Sequence, residues 1–292
     1  MVRNDYLYRF SINTFLFLVA AAMLFPLVYV LAVSFTAPEV YVPNQLILWP
    51  KQWSLDAYQY ILSGSAVINA LKSTLFITAV GTPLALILSS SFAYMLSKNH
   101  LPGRNVILLL VLFTMLFSPG MIPNYLLVRQ LGLIDSLWAL ILPTLTNAWS
   151  LLVLKSFYQS IPSELEDSAK IDGCNDMQTY FRIILPLSKA PLAAFTLFFA
   201  VNYWNVYFSA LLYLRDATKW TLQVILQQVV LASNASQFVD SAVASQMDNI
   251  VQMPPETVKM ATIIIVVAPI LMVYPFLQKY FAKGVLIGSV KG

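Results

Sequence analysis

The sequence predicts an all-α membrane protein with six transmembrane helices and both termini on the cytoplasmic side. Three observations carry this. Apolar residues make up 59% of the 292 positions against 10% charged, and the mean hydropathy is +0.73; a soluble domain is about half apolar. Several apolar runs reach the ~20 residues that a helix needs to cross the hydrocarbon core. Lys and Arg fall unevenly on the segments between those runs.

The first helix is "INTFLFLVAAAMLFPLVYVLAVSF", 12–35. Arg3 and Arg9 precede it as they would a secretory signal. The run is longer than the ~7–15 residues of a signal core, and Phe35 stands where a small residue should precede Ala37. It is therefore read as a retained span. Five more follow at 67–96, 106–128, 137–157, 191–213 and 258–281, so 1–292 reads as a single transmembrane domain. With the N-terminus inside, the inner segments hold Arg3, Arg9, Lys98, Arg104, Lys155, Lys170, Arg182, Lys189, Lys279, Lys283 and Lys291. The outer ones hold only Lys51, Lys72, Arg129, Arg215, Lys219 and Lys259. Positive charge gathers inside, as the rule for polytopic proteins requires.

Composition excludes several chemistries. Cys174 is the only cysteine and His100 the only histidine, which removes intramolecular disulfides, Cys-rich metal sites and most zinc or His-base chemistry. No catalytic cluster and no metal site is expected. A membrane-embedded transferase would need clustered acid, base or metal groups. The net charge of +4 follows topology and calls for no nucleic-acid partner. No charged residue lies mid-span, whereas proton- or ion-coupled carriers keep ionisable groups there. Proline, in contrast, occurs in every span: Pro26, Pro83, Pro119, Pro123, Pro143, Pro191, Pro269 and Pro275. This fits ordinary membrane-helix composition and equally a bundle that bends as it works. The long outer segments Thr36–Ala66 and Leu214–Thr257 are read as surface loops that rest on the membrane or receive a soluble partner.

The acids are concentrated instead in the loop 158–189, where "SELEDSAKIDGCNDMQTYFRIILPL" carries Glu164, Glu166, Asp167, Asp172 and Asp176. Ser163 with Glu166 three residues on has the spacing of a capping box, and the first-turn acids suit the helix dipole. Gly173 stands where a left-handed C-cap or a close contact needs a missing side chain. Asn175 and Gln178 then open a second helix, which Pro186 leads into the next span. Leu165, Ala169 and Gly173 repeat every four residues, a thin face suited to another protein's groove. The same pattern also describes a well-capped solvated loop.

This segment resembles the "EAA" loop of the permease subunits of bacterial ABC importers: Glu-Ala-Ala, three residues, Gly, then Ile-x-Leu-Pro. Here the slots read Asp167-Ser168-Ala169, Gly173 and Ile183-Ile184-Leu185-Pro186. Asp for Glu and Ser for Ala keep charge or small size. "IPSELEDSAKIDGC" resembles the oligosaccharide, maltose-permease-like importers. "VNYWNVYFSALLYL" and the closing "PPETVKMATIIIVVAPILMVYPFLQKYFAKGVLIGSVKG" are similar to the polysaccharide-permease branch.

The resemblance implies a type I ABC importer permease fold in a bacterial inner membrane. Its partners would be a second related permease, a cytoplasmic ATPase dimer, an extracytoplasmic solute-binding protein and a sugar substrate. ATP and Mg would be bound by the ATPase and no cofactor by this chain, which lacks a GxxxxGK[ST] phosphate loop. The loop would be a coupling helix docked in the ATPase through Glu166, Asp167, Ser168, Ala169, Ile171, Asp172, Gly173 and Pro186, with Lys291 and Gly292 of the tail as further contacts. For the sugar pathway, aromatic faces beside amides point to Asn202, Tyr203, Trp204, Asn205 and Tyr207, with Asn147 and Trp149 behind them. A cysteine placed at Ser168 is expected to resist labelling from outside intact cells and to label in inverted vesicles; labelling from outside would reverse the topology.

Overall fold

The computed structural model describes residues 3–43, 45–238 and 253–288. It is helical: the only β pairing among those residues is an isolated bridge between Thr36 and Trp53. The helices are α1 (Arg3–Ser34), α2 (Asp56–Ser63), α3 (Ser65–Ser97), α4 (Arg104–Leu116), α5 (Met121–Gln130), α6 (Trp138–Ile141), α7 (Ala148–Gln159), α8 (Glu164–Ile171), α9 (Asp176–Thr179), α10 (Leu185–Leu187), α11 (Lys189–Trp204), α12 (Phe208–Tyr213), α13 (Leu222–Phe238) and α14 (Pro255–Gly288). Three stretches, Tyr8–Ser34, Ser65–Ser97 and Pro255–Val273, are each long and apolar enough to cross a membrane. Three more reach that length only as bent pairs.

The expected third span, 106–128, is not one rod. Its two pieces, α4 and α5, meet at 118°. Pro119 has no N–H for the carbonyl one turn back and disfavours helical geometry at Ser118. The chain restarts so that Pro123 falls in the first turn of α5, where no intrahelical donor is needed. The expected fourth span bends by 49° before α7, whose first turn is capped by Asn147 accepting from the Ser150 N–H at 2.9 Å. The expected fifth span is α11 followed by the separate α12. Part of the long segment read as surface loop is helical: α13 buries Leu222 and Val224. Its first free N–H, on Leu222, is satisfied by the Thr74 hydroxyl of α3 at 2.9 Å.

By contacts the chain divides into two compact units, one from 1–68 with 225–269 and one from 69–224 with 270–292. In the first, most of α1 is uncovered by the chain's own residues, as a lipid-facing helix would be. The segment after it is pinned where Ala37 N–H meets Gln52 carbonyl (3.0 Å) and Ser54 N–H meets Phe35 carbonyl (2.9 Å). Phe35 packs there on Trp53 and Tyr58. The second unit is built on Ile77, Leu96, Leu140, Ile141, Leu154, Ile184 and Tyr203, all essentially inaccessible.

Two details of the second unit are sharply specified. A Cβ on Gly81 would stand 2.8 Å from the Tyr203 ring, which is 0% exposed and has nowhere to retreat. At the far loops Asp135 is the only described non-Gly residue with positive φ (62°). Its Oδ1 accepts from the Arg215 and Asp216 N–H groups (3.1 and 3.0 Å) and its Oδ2 from Lys219 Nζ (2.8 Å), while its own N–H donates to the Tyr213 carbonyl (2.8 Å). The Lys219 bond, followed by the Asp216 N–H, lowers the Asp135 carboxyl from 3.8 to about 2.

Replacing helical Gly by Ala ordinarily gains up to ~1 kcal/mol, but forcing a methyl into closed packing costs ~1–3 kcal/mol. Gly81→Ala is therefore expected to lower the unfolding midpoint in detergent, with Tyr203→Leu restoring part of the loss. Because the Asp135 pKa is depressed on folding, its contribution is complete above the ordinary carboxylate value and is lost as pH falls toward about 2. Pepsin nicking within Arg215–Lys219 is expected to rise between pH ~4 and ~2 in the wild type. Asp135→Asn should reduce that rise, with cleavage scaled at each pH to that of an unstructured peptide. The remainder belongs to Asp216, which caps Thr218 in the same segment.

Candidate functional site

The acidic loop is made of two helical pieces and a hinge. Ser163 is already helical (φ −65°, ψ −26°) and its side chain caps nothing. The expected capping box therefore does not form there. Pro162 fixes the chain for an earlier start, with its carbonyl accepting from the Leu165 N–H. The Glu166 carboxylate goes instead to Lys98, just past the end of α3, with side chains only 19% and 13% exposed. Gly173, at φ 82°, ends α8 as expected. Cys174 N–H bonds to the Ala169 carbonyl (2.9 Å) and Gly173 N–H to that of Lys170 (3.0 Å), the paired bonds of a Schellman cap. Asn175 and Gln178 open the second helix as expected, and they do so as a capping box: Asn175 Oδ1 accepts from Gln178 N–H (2.8 Å) and Gln178 Oε1 from Asn175 N–H (3.0 Å).

A π-helical turn, Tyr180–Ile184, follows α9 and runs into α10, which holds Pro186. The chain then turns through 84° at Ser188 into α11. Ser188 is buried, and its hydroxyl donates to the Ile184 carbonyl at 2.7 Å. The turn is thus sheltered by protein and not left open to lipid.

The two sides of α8 differ. Ala169 is 3% exposed, so the Leu165–Ala169–Gly173 stripe is not a free thin face: its middle residue packs on the chain itself, on the side where Glu166 is paired. The opposite side presents Asp167, Ser168, Asp172 and Ile171, the last 87% exposed. Among the described residues the acids beside it make no ion pair. Lys291 and Gly292 lie outside the described residues.

The residues expected along a sugar pathway separate. Tyr203 and Trp204 are buried, Tyr203 against Gly81 and near the Thr144 hydroxyl and the Ile141 carbonyl (both 3.4 Å). They are packing residues here. Asn202 and Asn205 are exposed and Tyr207 is half-buried. Asn205 Oδ1 accepts from Gln223 Nε2 of α13 at 2.8 Å, a polar partner that sequence reasoning missed. Asn147 is spent on its cap, although its side is exposed, and Trp149 packs against Phe195 and Phe198. Lys98 was missed as well; nothing in its spacing announces a partner 68 residues away. Among the described residues no group of three or more His, Cys, Asp or Glu is placed to hold a metal.

The chain is similar to known proteins over nearly its whole length. Residues 81–287 match the family described as "Binding-protein-dependent transport system inner membrane component". The chain is 49% identical over 286 residues to the polygalacturonan/rhamnogalacturonan transport system permease protein YtcP of Bacillus subtilis, covering 98% of this chain and 99% of that one. It is 28% identical to the arabinooligosaccharides transport system permease protein AraQ of the same organism, covering 98% of this chain and 96% of that one. In structure it superposes with a TM-score of 0.85 and 31% identity on a chain from the crystal structure of a bacterial ABC transporter involved in the import of the acidic polysaccharide alginate, over 96% of this chain and 99% of that one. The chain belongs to the family of binding-protein-dependent transport system inner membrane components, the membrane-spanning permease subunits of ABC transporters.

Proposed function

We propose that this chain is one of two permease subunits of an ATP-driven importer for oligosaccharides or sugar derivatives, those derived from acidic polysaccharides first among them. The observation that carries this is the near full-length likeness to YtcP, together with the alginate importer; both proteins are described by acidic polysaccharides. The three long stretches, the bent pairs α4–α5 and 138–159, and α11 with α12 make six spans, with both termini and the loop 158–189 in the cytoplasm. That orientation rests on the Lys and Arg distribution.

The loop is the socket for a cytoplasmic ATPase, which binds ATP and Mg. The docking side is the exposed one: Asp167, Ser168, Ile171, Asp172 and Gly173, with Ile171 as apolar anchor and the acids addressing basic groups at its rim. Glu166 and Ala169 hold α8 to its own chain, and Pro186 sits where the loop turns toward α11. Lys291 and Gly292 would add tail contacts. A solute-binding protein delivers sugar from outside, and the outer ends with Asn202, Asn205, Tyr207 and Gln223 offer amides and an aromatic for it. Closing of the ATPase dimer moves the loop and rocks the spans between outward and inward access; each ligand shifts that balance only by its differential affinity for the two states.

Gly173 tests the docking. A Cβ there meets nothing within 4 Å, so bulk is tolerated inside this chain and only the left-handed backbone is strained, by ~1–2 kcal/mol. Gly173→Trp is expected to insert normally yet fail to co-purify with the ATPase and with transport activity. Gly173→Ala, which carries the backbone strain without the bulk, should retain most of both. Normal ATPase recovery with Gly173→Trp would remove this surface from the interface. Wild-type chain recovered alone and moving solute without ATP would overturn the whole reading.

A further inference from the structure

A polar stripe runs along α3 beneath the acidic loop. Ser90 and Tyr94, four residues apart, share one side of the helix, and Lys98, four further on, stands one residue past its end. Ser90 and Tyr94 meet the same two tyrosines, of α7 and of the π-helical turn, and Lys98 meets α8. Lys98 pairs with Glu166 of α8, and its ammonium also lies 4.2 Å from the centre of the Tyr94 ring. Tyr94 stacks on Tyr180 of the π-helical turn (centroids 4.9 Å apart) and meets the Tyr158 ring of α7 edge-on at 6.0 Å. The Ser90 hydroxyl shares hydrogen bonds with the hydroxyls of Tyr158 (2.5 Å) and Tyr180 (2.6 Å). Ser90, Tyr94, Tyr158 and Tyr180 are all buried.

We infer that this stripe is the tie that carries displacement of the docking loop into helix α3: Lys98 and Ser90 are positioning residues for transport, each acting through the loop rather than on the solute. The inference rests on the loop docking an ATPase.

Two features make the stripe the rigid part of the joint. Beside these contacts α3 and the loop's second half close on each other only in part. A groove of about 610 Å³ opens there, lined by Ile87, Met95, Leu101, Met177 and Phe181 and edged by Tyr94, Lys98 and Tyr180 of the stripe itself. Apolar packing alone would let the loop slide into that space, since such contact is non-directional. Directional bonds and a stacked ring pair resist sliding, and more so where water is excluded and polar networks strengthen. The second feature is that both halves of the loop are held, α8 through Glu166 and the π-helical turn through Tyr180. The contacts run without a gap from Ser90 through Tyr94 to Lys98 just past the end of α3, about two turns or ~12 Å at 1.5 Å per residue. A body held along such a length transmits rotation as well as translation. One buried hydroxyl, that of Tyr94, has no partner in this arrangement. An unmet buried group lowers the stability of the arrangement that leaves it unmet. Coupling of this kind needs an element with two arrangements, both sensed at each end.

The test uses the assembled importer, with ATPase, second permease and binding protein, in proteoliposomes. The readout is solute moved per ATP hydrolysed, alongside ATPase recovery on purification. Lys98→Glu places like charges together, and Ser90→Ala removes two hydroxyl bonds with little change of volume. Each is expected to keep the ATPase bound and hydrolysing while transport per ATP falls at least about fivefold, within the range of an ordinary coupling energy. Lys98→Glu combined with Glu166→Lys is expected to restore the ratio. A merely structural role predicts otherwise: complex recovery and transport would fall together and the ratio would hold. That result, or a ratio unchanged in Ser90→Ala, overturns the tie while leaving docking intact. A wild-type chain that never recovers an ATPase overturns both.

Discussion

The backbone of a chain in lipid has no water to turn to, and the rest of this structure follows from how its N–H and C=O groups are met. Continuous helices meet them internally, as in α1, α3 and α14. Elsewhere proline or a sharp turn breaks the ladder, and another group of the chain has to stand in. Asn147 caps α7 with its amide oxygen, Ser188 donates to Ile184 at the turn into α11, and Thr74 receives the first N–H of α13. Each substitute is a small polar side chain at a helix end, in a chain that has few polar side chains to spend. The breaks are therefore specified features, and they allow helices that would otherwise be straight rods to bend at fixed places.

The acidic loop follows the same rule at the protein's polar end. Gly173 lets α8 close with both Schellman bonds, and Asn175 with Gln178 opens α9 two residues later. The joint between the two pieces is short, and its cap bonds tie them together. Glu166 does not join that local bonding. By reaching Lys98 it trades a backbone cap for a link to another helix, and it lays Ala169 against the chain in the same turn. The concentration of acids thus divides into one residue that anchors the loop inward and others that remain available outward.

What the sequence made legible was local and what it hid was tertiary. The C-cap at Gly173 and the helix opening at Asn175–Gln178 depend on residues within a turn of each other, and both were readable. The box at Ser163 had the same spacing and failed, because Lys98 competes for Glu166 and Pro162 starts the helix early. Apolar length revealed the spans, but Pro119 and Pro123 turn one of them through 118°. A proline pair says that a break is required and leaves its angle open. Tyr203 and Trp204 carry the chemistry of a sugar platform, yet whether an aromatic ring faces a pathway or a glycine of the next helix is decided by packing. Gly81 decided it for Tyr203.

Burial also explains why charge is absent from the spans and gathered at the loop. An ionisable group at mid-bilayer costs several kcal/mol unless paired, and no charge is placed there. Hydrophobic contact is strong but lets surfaces glide, whereas an ion pair and a hydroxyl cluster fix register. Lys98, Tyr94 and Ser90 put such directional contacts under the loop, while the rest of the surface around it is mostly apolar. Polar side chains are thus used where the helices are broken, capped or joined, as at Asn147, Ser188, Thr74 and Lys98.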